Sequence, residues 1–150
     1  MSLAVRDLMS HPVVTLTASE TLSLAEEIMN MARVRHLPVI DDDENLVGLV
    51  THRDLLRASL STLTALSADE DKQFKRALPA SEIMETSVEA IGPDAPAVDA
   101  AVRMKEHKIG CLPVVEGERL VGIITEADFL ELAIRLLKTE PPVSHAPPQS

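Results

Sequence analysis

Two stretches of the chain combine residue types that can hold a phosphorylated sugar. They are Gly48-Leu49-Val50-Thr51-His52-Arg53-Asp54 and Gly122-Ile123-Ile124-Thr125-Glu126-Ala127-Asp128. Each reads as Gly, two aliphatic residues, Thr, two variable residues and Asp, the pattern of a strand that stops where a helix starts. Free backbone amides and the positive end of the helix dipole suit that junction to phosphate, and the Thr hydroxyl adds a donor. An Asp carboxylate one turn into the helix can accept from two adjacent ribose hydroxyls. Taken singly, Thr and Asp in these places are also ordinary helix caps. Their recurrence at identical spacing favours the binding role.

Other candidate chemistry is weaker. His11, His36, His52, His107 and His145 form no pair at metal-ligand spacing with a Cys or carboxylate cluster, so no metal site is expected. The acidic run from Asp41 to Glu44 lacks the spacing and closing Glu of an EF-hand and reads as a solvated turn. Cys111 falls in an apolar run, where an inert buried thiol is expected. Met29, Met31 and Met104 lie on or beside helical apolar stripes and read as core. His52-Arg53-Asp54-Leu55 matches the start of a kinase catalytic loop, but that loop needs Asn five residues after the Asp, and Ser59 stands there. With no credible nucleophile, base or metal arrangement, the chain is expected not to be an enzyme and to require no cofactor.

The elements that position the two stretches come from an internal repeat. His36-Leu37-Pro38-Val39-Ile40 returns 75 positions later as Cys111-Leu112-Pro113-Val114-Val115, and the same shift pairs Met9 with Met84, Val13 with Val88, Ala25 with Ala100, Met29 with Met104 and Val34 with Ile109. Past the following turn the shift is 74, so one residue has been lost there. Each copy predicts a short strand (residues 13–16 and 88–91), then a helix over Leu22–Ala32 or Ala97–His107 with apolar residues at three- and four-residue spacing. Thr17 with Glu20 suggests a capping box for the first helix, and Asp94 with Pro96 a start for the second. A β-hairpin follows in each copy, closed by the polar turn 41–45 or 116–118. A second helix runs from Asp54 into the 60s, and from Asp128 to about Lys138. The fold class predicted is α/β (α+β): two β-α-β-β-α motifs packed face to face with pseudo-two-fold symmetry. The boundaries expected are 1–58 and 80–138 for the motifs, a helical linker over 59–79, and a disordered Pro-rich tail over 139–150.

Composition sets limits on function. Of 150 residues, 45% are hydrophobic and 25% charged, the balance of a globular protein. The formal net charge of -10 repels nucleic acid in the absence of a basic run. A single cysteine excludes an intramolecular disulfide and fits a reducing compartment, with the cytoplasm as the expected location. No apolar stretch approaches the roughly 20 residues of a membrane span, and the N-terminus lacks a signal-peptide pattern. With no Trp or Tyr and only Phe74 and Phe129, aliphatic side chains would have to hold any base.

The Leu-Pro-Val strands, the Gly-x-x-Thr-x-x-Asp junctions and their separation resemble CBS motifs, and the pair, over roughly residues 5–138, resembles a Bateman module. The resemblance implies a regulatory module that binds AMP, ADP, ATP or S-adenosylmethionine between its motifs, associates as a homodimer, and signals to an unidentified protein partner. It implies Asp54 and Asp128 as ribose binders and Thr51 and Thr125 as phosphate or ribose contacts. Val14, Val34 and Ile109 would sandwich the base, with Thr15 and Gly110 also in the binding set. Arg35, His36 and Arg53 stand where related modules place phosphate-binding cations, whereas the second copy has Gly110, Cys111 and Ala127. That asymmetry predicts one strong site and a second suited to less charge. Which motif's wall meets which motif's Asp stays open, and a ligand-free interaction or dimerisation module is the alternative.

Overall fold

The computed structural model describes residues 2–60, 73 and 77–139 and shows the repeated α/β unit twice. In chain order, α1 (Val5–Leu8) leads to β1 (Leu16–Thr17), α2 (Leu22–Ala32), the hairpin β2 (His36–Ile40) and β3 (Leu46–Thr51), and α3 (His52–Leu60). A 3-10 turn (Ala80–Glu82) precedes α4 (Ala97–His107), the hairpin β4 (Cys111–Glu116) and β5 (Arg119–Thr125), and α5 (Glu126–Thr139). Most of the linker expected over 59–79, with Phe74, and the tail from 140 lie outside the described residues.

The hairpins follow from runs of β-branched and leucine residues broken by polar turns. Both are antiparallel in the same register, with His36 opposite Thr51 and Cys111 opposite Thr125. The first strand of each copy is shorter than its sequence suggests. β1 pairs in parallel with β2 through Leu16 and Thr17 only, and its counterpart is a single bridge between Ile91 and Val114. The physical reason is that Val13 and Val88 pack against a cluster of Leu49, Cys111 and Ile123 drawn from both motifs.

Helices α2 and α4 keep their expected ranges but not their expected caps, while α3 and α5 begin at His52 and Glu126, two residues before the Asp expected to open each. Thr21 caps α2, its Oγ1 accepting from the Leu24 amide at 3.3 Å. Thr17 and Glu20 close the preceding turn, with Glu20 Oε1 accepting from the Thr17 amide and hydroxyl at 3.0 Å each. Pro96 occupies the N-cap of α4 without a side-chain bond, and Asp94 pairs with Arg6 instead. Leu22, Ala25 and Met29, like Ala97, Ala100 and Met104, form the buried stripes. Met31, expected among core residues, is 79% exposed because it lies off that stripe.

Each core is completed by the segment that leads into the other motif. Val5 and Leu8 pack with Ala100, Leu112, Val114 and Ile124 of the second copy. Ala80, Leu78, Ile83 and Met84 pack with Leu22, Leu37 and Val50 of the first. The backbone crosses in the same way: Ser10 and Ile123 exchange bonds of 2.8 and 3.1 Å, and Leu49 and Glu85 exchange two of 2.9 Å. At each crossing a glycine admits a methionine. A Cβ on Gly48 would lie 2.5 Å from Met84 Sδ, and one on Gly122 would lie 2.5 Å from Met9 Sδ.

The two glycines differ in what surrounds them. Gly48 also faces the Glu85 carbonyl oxygen at 3.0 Å, whereas the near neighbours of Gly122 all belong to the flexible Met9 side chain. Gly48→Ala is therefore expected to destabilise the fold by about 1–3 kcal/mol, in the range of overpacked cores, and Gly122→Ala by less. Urea unfolding of the two variants beside the parent checks the order.

Candidate functional site

The two Thr-x-x-Asp junctions fold into matching corners at the ends of β3 and β5. In the first, the Thr51 amide donates to Asp54 Oδ2 at 2.8 Å and the Asp54 amide donates to Thr51 Oγ1 at 3.1 Å. In the second, the Thr125 amide donates to Asp128 Oδ2 at 2.8 Å and the Thr125 hydroxyl donates to the same oxygen at 3.3 Å. Both Asp side chains thus cap their helices. In the first corner capping engages one carboxylate oxygen, and Oδ1 of Asp54 takes no hydrogen bond among the described residues, although the residue is only 9% exposed. In the second, Oδ1 of Asp128 accepts from the Ser10 hydroxyl at 3.0 Å. Capping and ligand binding can therefore use different oxygens of one carboxylate.

The hairpins bring the remaining predicted residues to these corners. The His52 amide donates to the Arg35 carbonyl at 2.8 Å, which sets Val34, Arg35 and His36 beside Thr51, Arg53 and Asp54. The Glu126 amide donates to the Gly110 carbonyl at 3.1 Å, which sets Ile109 and Gly110 beside Thr125 and Asp128. Arg35 and Arg53 are exposed, and among the described residues the matching positions of the second corner, Gly110 and Ala127, carry no cation.

The walls are crossed. Ser10 reaches both Ile123 and Asp128, so the chain leading to Val13, Val14 and Thr15 of the first motif enters on the second motif's corner. By the matching pair, Glu85 lies on Leu49, and the chain leading to Val88 enters on the first. Val14 is 42% exposed there. Thr15 lines a cleft of about 390 Å³ with Val13, Ile40, Leu120 and Val121, whose walls do not include Thr125 or Asp128. Its counterpart, about 290 Å³, has Ala90 in place of Thr15. Sequence reasoning missed Ser10 because nothing local to Ser10 signals that its partner lies 118 residues away.

His36 sits where the two corners approach one another. Its ring packs on Gly110, where a Cβ would lie 2.9 Å from Nε2. Burial holds its pKa below the ordinary histidine value, Glu126 and Asp54 draw it up in part, and Arg35 opposes them. Burial also pushes the Cys111 thiol up to about 12, so it stays protonated at neutral pH. Among the described residues no group of three or more His, Cys, Asp or Glu is placed to hold a metal ion. Among them, too, no helix is long and apolar enough to cross a membrane.

The lowered pKa of His36 carries a sign. The folded state binds this proton more weakly than the unfolded chain, so the stabilisation is complete above the unfolded value near 6.5 and is lost as pH falls below it. Denaturation midpoints compared between pH 7.5 and 5.5 should fall for the parent and fall less for His36→Gln. Equal slopes would show that this ring does not set the difference.

The duplicated fold is shared with known proteins. The CBS domain family matches residues 5–61 and 80–135. A CBS domain-containing protein of Dictyostelium discoideum is 34% identical over 145 residues, covering 96% of this chain and 100% of that one. The chain spans only 24% of another relative, a homoserine O-acetyltransferase of Methanococcoides burtonii, at 34% identity over 130 residues that make up 86% of this chain. Among solved structures, a Vibrio cholerae chain whose name connects it with acetoin utilization superposes with a TM-score of 0.82 at 38% identity, covering 92% of this chain and 96% of that one. A CBS domain pair solved with 5′-methylthioadenosine and S-adenosyl-L-methionine gives 0.75 at 28% identity, with 91% and 99% covered. CBSX2 in complex with AMP gives 0.74 at 28% identity, with 89% and 98% covered. With the motif matched in both halves and the duplicated fold shared with solved CBS domain pairs, the chain belongs to the CBS domain family as a tandem pair.

Proposed function

We propose that this chain is a regulatory module that binds an adenosine ligand, AMP, ADP, ATP or S-adenosylmethionine, at the corners between its two motifs, and that it catalyses no reaction. The observation that carries the reading is the first corner: a nearly buried Asp54 whose Oδ1 is left open by its own capping bond, beside Thr51 and the cations Arg35 and Arg53. Two solved relatives hold adenosine compounds in pairs of this fold, which supports the ligand class. Phosphates favour the first corner through the cations Arg35 and Arg53, with the neutral His36 ring beside them as a hydrogen-bonding group. The second corner, with Glu126 and Asp128 and no added cation, suits a ligand of less negative charge. Binding acts as a switch only if the ligand prefers one arrangement of the motifs, which a protein partner then reads.

The module acts as a homodimer in this reading. Leu130, Ile134 and Leu137 form an exposed apolar stripe along α5, and Leu56, the repeat counterpart of Leu130, is exposed on α3. A pseudo-symmetric apolar face of this kind suits a second copy of the same chain. The single buried cysteine fits a reducing compartment such as the cytoplasm.

Thermal unfolding with AMP, ADP, ATP, S-adenosylmethionine and GTP in turn tests the ligand class, since a ligand of the native state raises the midpoint. A rise with an adenosine ligand and none with GTP is expected. Asp54→Asn should keep the unliganded midpoint, because an amide oxygen still caps the helix, yet lose the ligand's shift at the first corner. No shift at millimolar concentrations of any adenosine ligand would favour an interaction module in which Asp54 and Asp128 serve as caps alone. Light scattering after size exclusion checks the dimer: Leu130→Glu should give a monomer of half the parent's mass, and an unchanged mass would remove this face from the interface.

A further inference from the structure

Gly110 departs from its repeat counterpart, Arg35, and its backbone does not explain why. Among glycines only Gly117 has a positive φ, so Gly110 is not needed for a left-handed conformation. What it provides is space. A side chain there would meet His36 Nε2 at 2.9 Å and Cε1 at 3.0 Å, with Glu126 Oε1 at 3.8 Å. The imidazole of the first motif therefore fills the volume that a side chain of the second motif would occupy.

His36 is anchored at one end and shared at the other. Its backbone pairs with Thr51, and the neighbouring Arg35 carbonyl holds the first amide of α3, so its main chain belongs to the first corner. Its ring rests on Gly110, whose carbonyl holds the first amide of α5, so its tip belongs to the second. Asp54 from one corner and Glu126 from the other both act on its charge, with Arg35 opposing them. The contact has no mirror image: the repeat counterpart of His36 is Cys111, which is buried against Leu49 and Ile123.

We infer that His36 couples the two corners, so that a ligand filling one of them resets the imidazole against Gly110 and changes the affinity of the other. This rests on the reading of the corners as nucleotide sites. Because coupling between binding sites is reciprocal, either corner can be the one filled first, and an effect of about fivefold or more is of the usual size. The coupling runs through one side chain, so removing that side chain removes it.

The test uses the ¹⁵N-labelled full chain, first without ligand and then titrated with AMP. Without ligand, Gly110→Ala should shift the amide signals of Thr51, His52 and Asp54 in the other motif, and the same change in a His36→Ala background should leave them in place. With AMP, Gly110→Ala should alter the ratio of the two site affinities at least fivefold, again only while His36 is present. Shifts confined to the neighbourhood of residue 110 and its own corner, or shifts at Thr51 to Asp54 that persist without the ring, would overturn the coupling. His36→Ala alone adds no volume and should move signals in both corners; movement in the first motif only would also overturn it. A parent chain that binds no AMP would count against the nucleotide reading, while the ligand-free shifts still decide the coupling.

Discussion

The crossing of the two lead-in segments over the opposite hairpins is the constraint on which the rest depends. Ser10 on Ile123 and Glu85 on Leu49 are backbone pairs that satisfy strand groups which would otherwise sit at an open edge. They also carry Val5 and Leu8 into one core and Ala80 into the other. Neither core closes without a contribution from the segment before the other motif, so the two halves are folded as one body. The close approach this demands explains the glycines: a β-strand position without a side chain lets a methionine of the crossing segment lie against the sheet.

The same crossing builds the corners. A strand ending at Thr51 or Thr125 turns directly into a helix, and a short acidic side chain three residues on accepts from the amide of that Thr. Capping alone would leave each corner as a piece of local structure. The lead-in segment adds a second wall from the other motif, and in the second corner it adds a hydroxyl, Ser10, bonded to the Asp itself. The two corners differ in what this leaves: both oxygens of Asp128 are engaged, whereas at Asp54 the capping bond takes Oδ2 alone.

Duplication gives near symmetry, and a few substitutions break it. Arg35 and Arg53 make the first corner basic, with His36 beside them, while Gly110, Cys111 and Ala127 stand at the matching positions of the second. At the position matching His36 stands a buried thiol that is held protonated, so the second corner has neither an imidazole nor a thiolate there. A ring from the first motif lies on bare backbone of the second, so the asymmetry is one of packing as well as of charge.

Legible in the order of residues were the duplicated β-α-β-β-α unit, the helix ranges Leu22–Ala32 and Ala97–His107, and the two Thr-x-x-Asp corners, because periodicity and turn residues are local properties that a repeat displays twice. The sequence misplaced the caps of both helices, since Thr17, Glu20 and Asp94 carry the right chemistry but find partners in a turn and in Arg6. It also put Met31 in the core, one position off a stripe it otherwise traced through Leu22, Ala25 and Met29. Which wall faces which Asp, the space that Gly110 leaves for His36, and the contact of Ser10 with Asp128 became visible only in the folded chain. Those facts rest on contacts such as Leu49 with Glu85, His36 with Gly110 and Ser10 with Asp128, whose partners stand far apart in the chain, and no local pattern of residue types encodes a pairing of that kind.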